Sequence, residues 1–212
     1  METICKYPAD QFSMIQINSK LSQVNVMAGN SEEIILRWTN TKRRTTTAVQ
    51  TGKVLSVADR APIIPYGVLG LIQLKQDKEL TLELPAEYDG DIQIESRDEM
   101  VNILGIEVLG SLNVKTTTGA IEASAAKARN FQLTSMAGNI NLRSIASDSG
   151  IYATSTSGNI GCLCAESAKN YLLDCLTEHG VCDLPSEAHR GSKLLRLRST
   201  NGGISVQFLD EE

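Results

Sequence analysis

Four cysteines and one histidine near the C-terminal end are the residues of this sequence best suited to chemistry. Cys162 and Cys164 form a C-x-C pair, Cys175 and Cys182 follow, and His179 lies between the latter two. Thiolates with an imidazole are a plausible zinc ligand set, but this spacing follows no finger or ribbon pattern. Cys162, Cys175 and Cys182 also occupy positions where the other copies of the repeat described below carry aliphatic residues. Because free cysteine packs as a small hydrophobic residue, we expect core filling, with a metal site and a disulfide as alternatives.

A group of carboxylates forms the second candidate site. A general acid–base pair or a calcium site requires carboxylates that converge on one point. The Asp89-Gly90-Asp91 segment is too short for a calcium loop, and neither Glu107 nor Glu122 aligns with Glu95 in the repeat. We therefore expect a solvated charged face, formed by Asp89, Asp91, Glu95, Asp98 and Glu99.

The sequence carries no motif for nucleophilic catalysis or for nucleotide binding. There is no Gly-x-Ser-x-Gly elbow, no Walker lysine, and no Gly-x-Gly-x-x-Gly between a strand and a helix. The two histidines, His179 and His189, fall in the longest and least regular repeat, where surface loop positions are expected. We predict no catalytic, cofactor-binding or metal-binding residues, and a protein that is not an enzyme.

An internal repeat in the sequence predicts the secondary-structure elements that position these residues. A glycine is followed two residues later by an apolar residue in five copies, with glycine spacings of 19, 20, 22 and 22 residues. A degenerate sixth copy has Val101 at the glycine position and Ile103 at the apolar position. The five full copies are Gly119/Ile121, Gly138/Ile140, Gly158/Ile160, Gly180/Cys182 and Gly202/Ile204.

The residues that flank each glycine predict β-strands. Positions five before and four after the glycine are apolar in all five copies, and a period of two on each side of a turn is typical of strands. Ser/Thr-rich triplets precede three of the turns, where hydroxyls can bond to neighbouring backbone. One such repeat cannot bury its apolar side alone, whereas stacked copies can. We predict an all-β, right-handed single-stranded β-helix with regular rungs of about 20 residues over 91–212.

The first 90 residues are predicted to form irregular early rungs and a cap within the same single domain, 1–212. Alternation and β-branched content favour strands at 13–17, 21–27, 33–39, 53–57 and 80–84. The loop at 61–67 contains two prolines and breaks any regular element. Its apolar residues are expected to cover the end of the stack, because an open end exposes unpaired backbone groups.

Charge and composition narrow the class of partner. The net charge is −5; residues 1–90 are balanced, with ten basic and ten acidic side chains, and the excess lies in 91–212. An acidic surface disfavours nucleic acid, and Lys42-Arg43-Arg44 reads as a solvated loop. No stretch is apolar enough for membrane insertion. Five cysteines without a visible export signal predict a cytoplasmic location, with the cell envelope as the alternative.

The segment LTLELPAEYDGDIQIES (80–96), followed by the repeats TTTGAIEA, SMAGNINL and TSTSGNIGC, resembles a bacterial family of unknown function called "putative adhesin". The resemblance extends over most of the chain. It implies a β-helix without catalytic residues or cofactor, and it carries the suggestion of adhesion at the cell surface. The absence of a visible signal or anchor in this sequence argues against a surface role.

These observations lead to one main functional expectation and two alternatives. We expect a non-catalytic scaffold or interaction module whose partner is a protein, a carbohydrate or a second copy. For the last repeat, 195–209, whose strand Ile204–Phe208 precedes only Asp210-Glu211-Glu212, two alternatives stay open. The acids repel edge-to-edge growth, or two molecules associate end to end through this repeat as a closed dimer. The alternatives are an adhesin or glycan-binding module, using flat rows of Ser, Thr and Asn, and a polysaccharide-active β-helix enzyme.

Overall fold

The computed structural model describes residues 2–40, 44–60, 79–184 and 191–209. These ranges form 17 strands and two 3₁₀ helices, Ala9–Gln11 and Ala168–Asn170, so the all-β prediction is confirmed. The five strands predicted before residue 90 are present, whereas the loop at 61–67 lies outside the described residues. The strands are β1 (Glu2–Pro8), β2 (Met14–Ser19), β3 (Gln23–Ala28), β4 (Glu33–Thr39), β5 (Thr45–Thr51), β6 (Val54–Arg60), β7 (Glu79–Leu84), β8 (Asp91–Ser96), β9 (Val101–Leu104), β10 (Glu107–Thr116), β11 (Ile121–Ser135), β12 (Ile140–Ser155), β13 (Ile160–Cys164), β14 (Tyr171–Thr177), β15 (Cys182–Asp183), β16 (Lys193–Ser199) and β17 (Ile204–Phe208).

Most of the strands belong to a parallel stack of rungs. We define a rung as a strand on face A, a turn, and the next strand on face B; β8 and β9 with the turn between them are one example. The long strands β11 and β12 each serve two rungs, because their first residues lie on face B and their last residues on face A. Equivalent strands of neighbouring rungs pair in parallel on both faces, which gives eight rungs within the described residues.

The predicted apolar positions lie over one another inside this stack. Ile121 is paired in register with Ile140, and Ile140 with Ile160. The row continues in both directions with Val101 and Ile204, and all five side chains are buried. Alternate residues along each strand face inward, as a period of two requires. Burial of these aliphatic rows, at roughly 25 cal/mol per Å² of apolar surface, is the main source of stability.

The rungs do not stack in the order of the chain. Strand β16 lies between β12 and β14, and β17 lies between β13 and β15. The repeat at 195–209 is therefore internal, and the expectation that Ile204–Phe208 ends the stack is wrong. Among the described strands the last rung is formed by β14 and β15, and we call it the end rung. At the other end, β2 and β3 are likewise inserted between the β6/β7 rung and the β8/β9 rung.

The first end of the stack is closed by antiparallel strands. Strand β5 pairs antiparallel with β6 on face A, while β4 pairs antiparallel with β7 on face B and with β1 beyond it. Beside the end rung the described residues contain no such covering strand, since β14 pairs only with β16, and β15 only with β17. The first end of the stack is therefore covered by antiparallel strands, whereas no described strand covers the end rung.

A column of hydroxyl groups and glycines fixes the turns. Ser155 Oγ accepts the N–H of Gly158 (2.9 Å) and donates to the carbonyl of Gly138 in the neighbouring rung (3.3 Å). The same pair of bonds recurs in three further rungs, so the predicted bonding of Ser and Thr to backbone is confirmed. The corresponding hydroxyls are Ser135, Ser199 and Thr177.

The glycines of this column allow neighbouring turns to touch. A Cβ at Gly158 would overlap the carbonyl of Gly138, and a Cβ at Gly138 would overlap the carbonyl of Gly119. The glycines are needed for this close approach of backbones, since none of them has a positive φ. The column also corrects the degenerate copy: Val101 pairs with Ile121, so Glu99 rather than Val101 holds the glycine position.

Substitution of Gly158 by alanine should destabilise the protein by about 3 kcal/mol. The new Cβ overlaps the carbonyl of Gly138 on one side, and the turn of Gly202 on the other side prevents a shift that would relieve this overlap. The matched control is Gly161→Ala, three residues away on β13. Its Cβ would meet nothing nearer than Asn141 Oδ1 at 3.6 Å, so a change within about 1 kcal/mol is expected. Urea unfolding measures both variants, and equal stabilities would contradict the role of the column.

Candidate functional site

The cysteines named from the sequence lie at the end-rung side of the interior. Cys162 and Cys164 on β13 are buried, with their sulfur atoms 3.6 Å apart, and Cys162 stands in the row between Leu142 and Val206. All five cysteines of the chain are free thiols. The hydrogen bond with Cys164, followed by burial, raises the pKa of Cys162 well above its ordinary value. These are packing positions, and the raised pKa keeps the Cys162 thiol protonated at neutral pH.

Cys175 and Cys182 also face inward, opposite Leu197 and Ile204, and they are only partly buried because no further rung of the described residues covers them. Burial raises the pKa of Cys175 to about 11. His179 lies in the exposed turn between them, and His189 is outside the described residues. In the described part of the chain, no three His, Cys, Asp or Glu side chains gather so as to hold a metal ion.

The carboxylates around the first clear repeat act separately. Asp91 accepts the backbone N–H of Ser111 (2.7 Å), and Asp98 accepts the hydroxyl of Thr118 (2.9 Å). Both contacts join one rung to the next, so these side chains have structural partners. Glu95 is exposed on face A, opposite Lys115. These carboxylates do not converge on one point.

A buried charged pair was missed by the sequence analysis. Asp59 and Arg44 are only 2% and 3% exposed. The Asp59 carboxylate accepts hydrogen bonds from the hydroxyls of Ser19 (3.0 Å) and Ser22 (2.6 Å), and from the N–H groups of Lys20 and Leu21. Arg44 donates to Ser22 Oγ (2.7 Å).

The position of Asp59 explains why this carboxylate is buried. Asp59 follows Ala58, which is opposite Asn18, so it stands beside Ser19 at the end of the hydroxyl column. Burial lowers the pKa of Arg44, and the charge of Asp59 opposes that effect. The solvated loop predicted for Lys42-Arg43-Arg44 is therefore wrong for Arg44; Lys42 and Arg43 lie outside the described residues. With four donors on its carboxylate, Asp59 is a structural cap.

A shallow trough of about 420 Å³ runs over the outer side of face B. Its polar side chains form short ladders: Asn25 Oδ1 accepts from Gln23 (2.9 Å) and Asn102 (3.2 Å), and Glu122 accepts from Asn141 (3.0 Å). The trough is also lined by Met27, Leu104 and one further carboxylate, Glu79. The polar rows predicted from the sequence consist of Ser, Thr and Asn, whereas the ladders of this trough consist of amides and a carboxylate.

The end rung carries a different surface. Leu172 and Leu176 point outward from β14 and are 50% and 54% exposed, while Val181 in the following turn is 77% exposed. Asp174 stands between the leucines and is bound by Arg196 (2.7 Å) and Arg198 of β16. Burial opposes ionisation of Asp174, but the two arginines outweigh it and lower its pKa.

The end rung is held to the stack by a second polar cluster. Glu166 accepts from Lys193 Nζ at 2.7 Å and from the Tyr171 hydroxyl at 2.7 Å. Tyr171 is buried, and burial followed by the bond to Glu166 raises its pKa. These contacts tie β14 to β16 on one side only. The opposite edge of β14 is unpaired among the described residues and bordered by apolar side chains.

The fold and these surfaces define an all-β protein of parallel stacked rungs with an amide-rich trough and an apolar end rung. The family model "Toastrack DUF4097" matches residues 12–210, and the chain belongs to that family. No curated protein matches the chain. Among the described residues, no helix is long and apolar enough to cross a membrane.

Three solved structures are similar to the chain. A "putative cell adhesion protein" from Clostridium sporogenes is 9% identical, with a TM-score of 0.55 and 99% of each chain covered. A "putative adhesin" from Bacteroides fragilis is 13% identical, with a TM-score of 0.47 and 99% and 97% coverage. A "putative adhesin" from Parabacteroides merdae is 12% identical, with a TM-score of 0.42 and 99% and 96% coverage. The first of these likenesses supports the fold and nothing beyond it.

The thiols provide a test of the packing assignment. In the folded protein, Cys162 and Cys175 should react with iodoacetamide far more slowly at pH 8 than after unfolding, because the thiolate is the reactive form. The rate at Cys175 should rise as the pH approaches about 11. Mass spectrometry of labelled peptides measures each site. Fast labelling of Cys175 at pH 8, or protection removed by a chelator, would contradict packing and favour a metal site.

The same raised pKa makes stability depend on pH. A thiol that holds its proton in the folded state but ionises at about 9 when unfolded favours unfolding as the pH rises above 9. Stability should therefore fall between about pH 9 and pH 11. Cys175→Ala should reduce this slope in urea unfolding, and an unchanged slope would show that other groups cause it.

Proposed function

We propose that this protein is a non-catalytic interaction module in which a rigid parallel stack presents its end rung to a protein partner. The observation that carries the proposal is the edge of β14 that no described strand pairs with, where Leu172 and Leu176 are exposed. Such an edge can accept a strand from another chain by β-augmentation. The contacts of Asp174 with two arginines leave this strand without a free carboxylate to repel a partner.

The remaining charged groups support a structural role. Described acidic side chains form pairs along the stack, such as Glu107 with Lys127 at 2.8 Å. The trough on face B has two carboxylates, Glu79 and Glu122, and amide neighbours in place of a converging set of acids and bases. We also propose that the stack winds as a right-handed single-stranded β-helix. The in-register parallel pairing of equivalent positions supports this proposal, and a crystal structure tests the hand.

Partner capture by matched variants tests the interaction module. Leu172→Lys combined with Leu176→Lys places charges on the edge of β14, whereas Thr134→Lys places one at the position equivalent to Leu176 in the middle of face A. A partner captured from source-cell extract should be identified, purified and titrated against each variant. Affinity should fall more than tenfold for the double variant and stay unchanged for Thr134→Lys. Equal binding to all three proteins would contradict the proposal.

A second candidate function, glycan binding, is favoured by the trough on face B. Its amide and carboxylate ladders present donors and acceptors at the spacing of neighbouring strands, about 4.8 Å. Asn102 lies at the centre of these ladders and Leu104 offers an exposed apolar contact. The absence of an aromatic residue from this lining predicts weak binding, because aromatic rings supply much of the contact area in ligand sites.

Asn102→Ala should lower binding of any glycan found by array screening about tenfold, because one donor and one acceptor are lost. The control is Gln132→Ala, which removes an exposed amide from face A. Calorimetric titration measures both. Binding that is insensitive to Asn102→Ala, or no binding at all on the array, would reject the trough as a glycan site.

A further inference from the structure

The end rung shows apolar surface on both sides of its outer strand. Leu172 and Leu176 are exposed on the outer side of β14, and Leu173 and Cys175 on the inner side are only partly buried. A rung within the stack buries the equivalent inner positions fully, as Leu195 and Leu197 of β16 show. The end rung therefore resembles an internal rung that lacks its neighbour.

A neighbouring copy of this chain cannot supply that rung by simple continuation of the stack. The first end of the stack presents β5 and β1, which run antiparallel to the strands that they cover. Strand β5 is mostly polar, with the sequence TTTAVQT. Head-to-tail contact would place this polar strand against the leucines of β14, and its repetition would make an open fibre. A contact between two end rungs avoids both the polar strand and the growth into a fibre.

The sequence of β14, YLLDCLT, is compatible with pairing to itself. If two copies run antiparallel with Asp174 opposite Asp174, Leu172 of one copy lies opposite Leu176 of the other, and the reverse pair forms as well. On the inner side, Leu173 lies opposite Cys175 in the same two-fold manner. Every exposed apolar residue of the strand then meets an apolar residue of the second copy.

The charges of the strand are also compatible with this arrangement. The two aspartates at the centre would repel each other if they were free. Each is already bound by Arg196 and Arg198 of its own chain, so the contact contains two carboxylates and four guanidinium groups. Aspartate–arginine contacts of this kind compensate the central pair and can extend across the two-fold axis.

We propose that the partner of the end rung is a second copy of this chain, held in a closed two-fold dimer by antiparallel pairing of β14 with β14. This inference rests on the proposed function, because it names the protein that occupies the same edge. The two-fold contact uses the same surface on both copies, so it closes after one association and leaves neither end rung free for fibre growth. The antiparallel strands at the first end of each stack face away from the contact.

Sedimentation equilibrium of the purified chain tests the dimer. The wild type should approach twice its mass of 23.0 kDa as concentration rises, without larger species. Leu176→Lys should raise the dissociation constant at least about 100-fold, because the substitution occurs twice in each dimer. Thr134→Lys, the equivalent position in the middle of face A, should leave the dissociation constant unchanged. Circular dichroism should show that both variants are folded.

The register is tested separately by Asp174→Cys. Mild oxidation should give a covalent dimer on a non-reducing gel, because directly opposite residues of antiparallel strands have Cβ atoms about 5 Å apart. A wild type that stays monomeric, or grows into fibres, overturns the two-fold dimer. If the wild type is monomeric but binds a different purified protein, and the Leu176→Lys variant does not bind that protein, only the dimer inference fails. If the edge substitutions affect no association, the proposed function fails as well.

Discussion

The close stacking of the turns through hydroxyl groups and glycines is the constraint on which the rest of the structure depends. Each hydroxyl, such as Ser155, satisfies an N–H in its own rung and a carbonyl in the next, and the glycines let these backbones touch. Buried backbone groups without such partners would each cost about 1–3 kcal/mol. The column therefore holds the turns in register, and differences in repeat length are absorbed elsewhere, at irregularities such as the one between Ala128 and Asn130.

The sequence was sufficient to predict the interior rows but not the order of the rungs. The rows at Ile121, Ile140 and Ile160 follow from a period that any stacked strand must obey. However, the sequence pattern does not decide whether Cys182 or Ile204 lies beside Ile160, because every rung offers an aliphatic or thiol side chain at this position. A pattern of equivalent residues cannot distinguish permutations of its members.

The specific contacts that join β14 to β16, from Asp174 and Glu166, become visible only after the rungs are placed. At exposed positions such ion pairs contribute less than about 1 kcal/mol each, so they identify the order without being its main cause.

The buried pair of Asp59 and Arg44 escaped the sequence for a related reason. Hydrophobic periodicity assigns charged residues to solvent, and the two residues are separated by a hairpin rather than joined by a motif. The hydroxyl column must end somewhere, and its last members, Ser19 and Ser22, need acceptors. An ionised carboxylate accepts several donors at once, and a buried carboxylate requires such compensation. The end of the hydroxyl column therefore explains why an acidic residue is buried at position 59, whereas the local sequence around Asp59 does not.

The two ends of the stack differ in the direction of their outermost strands. Parallel strands offer the same backbone pattern at every level of the stack, so backbone alone would accept another strand at either end. Antiparallel strands close the first end, where β4 and β5 reverse the direction of pairing. At the end rung, selectivity in the proposed association would come from side chains, and Leu172, Leu176, Val181 and Leu184 are exposed there. Arg196 and Arg198 neutralise Asp174 from within the chain, so the proposed association at this edge would be governed by apolar burial and strand direction rather than by long-range charge.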